Sequence, residues 1–201
     1  HGAPALFQVL AERGFYPLSK LDDFGKAGSV FHEHPPKPGY IPGVEAATGS
    51  LGHGFPMALG MSLSVKIKKK EFKTTALLSD GECNEGTTWE SAILGVELNV
   101  RNLTVIVDYN KSTNNILAFN DLPKTWESIG WEVIQINGHD QEEISQALKK
   151  STANENGKPK VIIANTIKGF GVPFMENNGL WHYRAPNDNE LKKIKDILKI
   201  K

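Results

Sequence analysis

Between Thr74 and Ala164, apolar runs short enough for strands alternate with stretches of helical period, and this alternation constrains the fold more than any other feature. Thr74 to Leu78 is such a run and ends in Ser79-Asp80-Gly81. Trp89, Ile93 and Val96 then recur at helical spacing, and Leu103 to Val107 forms a second run ending in Asp108-Tyr109-Asn110. The pattern repeats with Trp131 to Ile136, a helix over Gln141 to Lys150 carrying Ile144 and Leu148, and Val161 to Ala164 after the turn Gly157-Lys158-Pro159. Strand, helix, strand in succession predicts an α/β fold: a mostly parallel sheet in three layers, with helices on both faces.

The flanks fit one domain over residues 1–201, with no internal repeat or interior linker. Leu6 and Leu10 set a short helix that stops at Gly14. Ser29 to Gly43 holds Pro35, Pro36, Pro38 and Pro42, a density that excludes helix and predicts a long loop of the kind that often carries function. From Phe55 to Lys70 a helix follows a glycine-rich approach, with Met57, Met61 and Val65 four apart beside small Gly60 and Ser64. That side suits either another helix or the domain's own core. A last helix, Asp188 to Ile200, carries Leu191, Ile194 and Leu198. The opening His1-Gly2-Ala3 already lies in an apolar periodic stretch, which predicts that some residues precede it.

Composition excludes several function classes. Lysine plus arginine equals aspartate plus glutamate at 23 each, so no global field recruits nucleic acid or an anionic membrane, and an anionic ligand has to be held by local groups. No apolar run approaches the roughly 20 residues that a membrane span needs. Cys83 is the only cysteine, which rules out an intrachain disulfide and predicts a reducing, cytoplasmic setting.

In open parallel sheets ligands bind at the carboxyl ends of strands. Asp80 follows one predicted strand and Asn110 follows the next, about 30 residues on, so one crossover helix brings the two side chains to neighbouring strand ends. A carboxylate and an amide carbonyl are hard oxygen donors that suit magnesium, whose remaining positions go to water and phosphate oxygens. A diphosphate is therefore the expected ligand. Gly81 admits close backbone approach, and a helix beginning near Asn84 would aim its positive end at the same charge. Each feature also has a plainer reading, since Asp-Gly after a strand is commonly a turn with the aspartate as helix cap.

Asp80-Gly81-Glu82-Cys83-Asn84-Glu85-Gly86, followed by Asp108-Tyr109-Asn110, resembles the motif of thiamine diphosphate enzymes. The segment Gly43 to Gly54, reading Gly-Val-Glu-Ala-Ala-Thr-Gly-Ser-Leu-Gly-His-Gly, is similar to a transketolase segment. So are Thr166 to Gly171, Met175 to Asn178 and Trp181-His182, while His1-Gly2 looks like the end of a Ser-x-Gly-His motif. The resemblance covers essentially the whole chain and points to the diphosphate-binding, amino-terminal half of a transketolase whose two functional domains are separate polypeptides.

That resemblance implies thiamine diphosphate held through Mg2+, for which Ca2+ or Mn2+ can substitute. It makes Asp80 and Asn110 the side-chain metal ligands and a backbone carbonyl near Ser112 the third. Gly81, Glu85, Leu51 and His182 would serve the cofactor, with Glu85 linking two active sites across a dimer interface. His1, His34 and His182 would serve catalysis, His34 through the hydroxyls of the donor sugar, because histidine titrates near neutrality. Partners implied are a pyrimidine-binding transketolase chain, sugar phosphate substrates and a second copy of this chain in an α2β2 complex. The reaction class is transfer of a two-carbon ketol unit from a ketose to an aldose in carbohydrate metabolism, as in the pentose phosphate pathway. Rival readings are the corresponding half of a thiamine enzyme acting on 2-oxo acids or making deoxyxylulose phosphate, and a cofactor-binding subunit without turnover. Three positions depart from the family: Ser79 replaces a glycine, His53 a glutamine, and Lys111-Ser112 the commoner Asn-Gly pattern after the metal asparagine. Lys168 is a solvated lysine or a secondary phosphate contact, and His139 reads as a turn residue before a helix capped by Asp140.

Overall fold

Four parallel strands form the sheet of the computed structural model, which describes residues 2–153 and 157–200. They are β1 (Thr74–Ser79), β2 (Leu103–Tyr109), β3 (Glu132–Asn137) and β4 (Lys160–Asn165), in the order β1-β2-β4-β3. Of the central strands, β4 is buried at all but its last residue and β2 over most of its apolar run, whereas the edge strand β1 alternates and leaves Leu77 70% exposed.

The chain divides into two compact units, His1–His53 and Gly54–Lys201. In the first, α1 (Ala3–Glu12) ends before Gly14, whose φ of +82° only glycine takes without strain. The helix lies where its period predicts, but its buried stripe is Ala3, Phe7 and Ala11; Leu6 faces outward. Those residues pack with Tyr16, Phe31, Ile41 and Val44, and the Tyr16 hydroxyl donates to the Phe7 carbonyl at 2.8 Å. The proline-rich stretch 29–43 carries neither helix nor strand, as predicted.

In the second unit α2 (Gly54–Lys68), α3 (Gly86–Glu97) and α4 (Leu122–Ile129) cover one sheet face, and α5 (Gln141–Thr152) packs on the other. The last helix is α6 (Asp188–Leu198), begun by a reciprocal capping box between Asn187 and Glu190. Helix α4 is an addition to the elements the sequence predicts. It is only eight residues long, but Leu122, Trp126 and Ile129 recur at helical spacing, Asp121 caps it, Pro123 sits in its first turn, and Leu122 and Trp126 are fully buried. Along α2 the core side is Phe55, Ala58, Leu59 and Ser62, so Met57 and Met61 remain exposed and available for association.

An aromatic cluster fixes that first face. Trp126, 0% exposed, has its ring 5.2 Å from both Trp89 and Trp131 and 6.1 Å from Phe55, centroid to centroid. Trp126→Ala removes the central ring and leaves a cavity among helices that cannot close over it. The expected loss is about 3–5 kcal/mol, read by urea unfolding. Trp126→Phe should lose markedly less, because it keeps most of the packed area.

Candidate functional site

Polar residues collect where β1 and β2 end, on the carboxyl side of the sheet. Ser79 stands opposite Asp108 in the register, and the Asp80 N–H donates to the Asp108 carbonyl at 3.2 Å, so pairing continues one residue past β1. The chain then turns through Gly81–Asn84 in a 3-10 conformation, and α3 begins only at Gly86. This corrects the expectation of a helix from Asn84: the groups facing the strand ends are those of the tight turn, and Glu85 is the residue before α3, exposed to solvent.

The turn is closed reciprocally. Ser79 N–H donates to the Glu82 carboxylate at 3.0 Å, and Glu82 N–H donates to Ser79 Oγ at 3.2 Å, which explains why serine serves where glycine is the family habit. Thr88 and the Trp89 indole donate to the Glu82 and Cys83 carbonyls at 2.6 and 2.7 Å, tying the turn to α3. Burial pushes the Cys83 thiol up to about 12, so this cysteine packs and does not react. A Cβ placed on Gly81 would meet only Ser79 Oγ, at 3.7 Å, an ordinary contact, so the backbone here is open.

Asp80 is only 3% exposed, and one of its carboxylate oxygens, Oδ2, has no hydrogen-bond partner. Burial raises its pKa; the N–H groups of Thr113 and Gly81 pull it down, Asp108 raises it and Lys168 lowers it, with burial prevailing. A buried, half-satisfied carboxylate is costly unless a cation completes it. Asn110 follows β2 with Oδ1 toward the next turn, where it accepts from Ser112 N–H at 3.0 Å and from the Ser112 hydroxyl. Between them Lys111 takes the left-handed conformation, φ +60° and ψ +13°. That conformation favours glycine and, less strongly, asparagine, so lysine holds it here at some backbone strain.

Asn84 joins the two turns by donating to Thr113 Oγ1 at 2.7 Å. Among the described residues no three of His, Cys, Asp and Glu converge as a metal cage. A carboxylate, an amide oxygen and a backbone carbonyl are instead the hard, sparse donor set that suits Mg2+, and the orphaned oxygen of Asp80 fits that role.

A second cluster lies after β4. Lys168 Nζ stands 3.5 Å from His182 Nδ1, giving two groups able to face an anion. The segment carrying Lys168 is held by His139, whose Nε2 accepts from Ile167 N–H at 2.8 Å while its ring stacks on Phe170 at 3.7 Å. His139 thus does more than make a turn, although Asp140 does cap α5 as expected. Asp108, Asn110, Thr166 and Lys168 all border a groove of about 530 Å3 whose floor is Leu77, Ile106, Ile136, Ile144 and Ile162. Sequence reasoning assigns no role to Asp108, Thr166 or Asn84; the alternation of β2 back from Asn110 is the one signal that points to Asp108.

His34 and Leu51 belong to the first unit. The His34 ring lies against Gly49, where an added Cβ would come within 2.8 Å of it. His1 lies outside the described residues.

Comparison with known proteins bears on the whole chain. Residues 1–201 match the family described as transketolase, thiamine diphosphate binding domain. An apulose-4-phosphate transketolase subunit of Actinobacillus succinogenes is 37% identical over 204 residues, 99% of this chain and 73% of its own length. The 6-deoxy-6-sulfo-D-fructose transketolase subunit SqwG of a Clostridium species is 35% identical over 181 residues, 88% of this chain and 65% of its own. In structure, the chain superposes on transketolase from Campylobacter jejuni with a TM-score of 0.83 at 31% identity, covering 96% of this chain and 32% of that one.

Proposed function

Because the chain belongs to the transketolase family, through that family's thiamine diphosphate-binding domain, we propose that it is the diphosphate-holding half of a ketol transferase that takes the pyrimidine half of its site from another chain. The observation that carries this reading is the buried, unpartnered Asp80 oxygen beside the Asn110–Ser112 turn. Support for the partner comes from relatives that are themselves named as subunits of transketolases. Two copies of each chain make the α2β2 assembly we propose, with the exposed Met57 and Met61 side of α2 as one contact.

In this proposal Asp80, Asn110 and the Ser112 carbonyl hold Mg2+. The Gly81 backbone leaves room for the diphosphate, and Lys168 and His182 neutralise its outer oxygens. Leu51 would lie against the cofactor, His34 would bind donor hydroxyls, and Glu85 would face its counterpart in the second copy. When bound, thiamine diphosphate supplies the electron sink for the two-carbon transfer. The chain's own residues position charge: Asp80 would face the cation as a carboxylate, and the imidazoles of His34 and His182 would meet the donor hydroxyls and the diphosphate. The relatives' printed sugars differ, apulose-4-phosphate in one and 6-deoxy-6-sulfo-D-fructose in another. The donor we assign is therefore an anionic ketose.

The test is a ketol-transfer assay with thiamine diphosphate, Mg2+ and a pyrimidine-domain transketolase chain from the same organism. Turnover is expected from the mixture and from neither chain alone. Cofactor binding without turnover for any ketose donor would favour a non-catalytic role instead.

A further inference from the structure

A carboxamide has two ends of nearly equal size, and only its oxygen can ligate a cation. Something must therefore choose which end of Asn110 faces the metal site. Asp108 lies in β2 and Asn110 just past its last residue, Tyr109, and the two side chains meet directly. The Asn110 amide nitrogen donates to Asp108 Oδ2 at 3.4 Å, and its oxygen is thereby turned the other way, toward Ser112. An ionised carboxylate accepts and never donates, so it can face only the nitrogen end. The other Asp108 oxygen accepts from the Thr166 hydroxyl. Thr166 comes from the end of β4, the strand hydrogen-bonded to β2, and its own N–H donates to the Tyr109 carbonyl at 3.3 Å. Both Asp108 oxygens are thus engaged, one fixed by the neighbouring strand and one on the amide.

We propose that Asp108, anchored by Thr166, is a positioning residue that sets the orientation of the Asn110 amide, so that its oxygen is presented to the cation before the cation arrives. This rests on the reading of Asp80 and Asn110 as metal ligands. Partners of this second kind fix a ligand's orientation at metal sites generally, and their loss weakens metal binding about 10- to 100-fold. Asp108→Asn offers the amide both a donor and an acceptor, so it no longer excludes the reversed orientation and leaves the Ser112 N–H alone to select the oxygen end. Thr166→Val keeps every charge and frees only the Asp108 carboxylate.

The experiment is titration of Mg2+ into the complex of this chain with its pyrimidine-domain partner and saturating thiamine diphosphate, followed by calorimetry, at low and at high salt. Wild type is compared with Asn110→Ala, Asp108→Asn, Thr166→Val and the double variant Asp108→Asn/Asn110→Asp. Expected are loss of Mg2+ binding in Asn110→Ala, weakening of about 10- to 100-fold in Asp108→Asn that persists at high salt, and a smaller weakening in Thr166→Val. The double variant should recover affinity, because a carboxylate has no wrong end. Asp108→Asn within twofold of wild type, or a deficit that disappears as salt screens charge, overturns the proposal while leaving the ligands in place. Unchanged Mg2+ binding in Asn110→Ala overturns the ligand assignment itself. Should Asp108→Asn fail to fold, a Thr166→Val protein with wild-type Mg2+ affinity is enough to overturn the proposal.

Discussion

Asp80→Asn is expected to make the metal-free protein more stable at pH 7 while abolishing its Mg2+-dependent binding of thiamine diphosphate. The carboxylate is buried, lacks a partner on Oδ2 and has its pKa raised by desolvation. The fold therefore binds the proton more tightly than the unfolded chain does. The stability this contributes is fully present below the unfolded carboxylate pKa of about 3.9. It is lost as pH rises through the raised folded value, above which the metal-free wild type carries the cost of an ionised, half-satisfied acid. Asparagine keeps an oxygen for the Thr113 and Gly81 N–H groups and removes the charge. Thermal unfolding checks this: each kcal/mol relieved raises Tm by about 2–4 °C in a chain of this size. Added Mg2+ should raise the Tm of wild type and leave the variant unmoved. A variant less stable than wild type without metal would mean that Asp80 serves the fold and not a cation.

Gly169→Ala should dislocate the segment that presents Lys168. Gly169 has φ +80°, and a Cβ there would lie 2.6 Å from the Met175 carbonyl oxygen and 2.7 Å from its carbon. The nearest atoms are the Met175 backbone, which cannot swing aside as a side chain could, and Asn177 N–H to Lys168 O at 3.0 Å ties the two arms of the loop together. A left-handed alanine costs about 1–2 kcal/mol before the clash is counted. Total destabilisation of roughly 3 kcal/mol is expected, with thiamine diphosphate affinity down at least about tenfold because Lys168 and the Thr166 anchor both move. Gly171→Ala is the control. It has φ +86° but meets only Leu198 Cδ2 at 3.6 Å, so it should cost the backbone strain alone. Urea unfolding and cofactor titration of the two variants measure the difference; equal effects would show that the approach of Met175 is not what requires glycine at 169.

What is legible in the sequence follows from chain-local physics. Strand positions and the ligand-bearing ends at Asp80 and Asn110 are readable because apolar runs stop abruptly at polar residues. The Lys111 position is readable as a departure, but only the backbone shows that lysine takes the glycine conformation there. The roles of Asp108 and Thr166 are not legible, since they depend on β2 pairing with β4 and not with β3, a strand order that no linear pattern encodes. His139 reads as a mere turn residue for a related reason: the Ile167 N–H it accepts from lies 28 residues away and comes near only when β3 and β4 pair. Helix α4 does carry a readable pattern in Leu122, Trp126 and Ile129 between Asp121 and Gly130, over only eight residues, whereas the 3-10 turn after Asp80 is hidden because Ser79 and Glu82 close it through side chains.

The central claim is that this chain holds a diphosphate through a divalent cation at the ends of β1 and β2. Calorimetric titration of thiamine diphosphate into the chain with its pyrimidine-domain partner, with and without Mg2+, tests it most directly. The account predicts binding that requires Mg2+ and disappears in Asp80→Asn. Tight binding indifferent to both Mg2+ and Asp80 would contradict it.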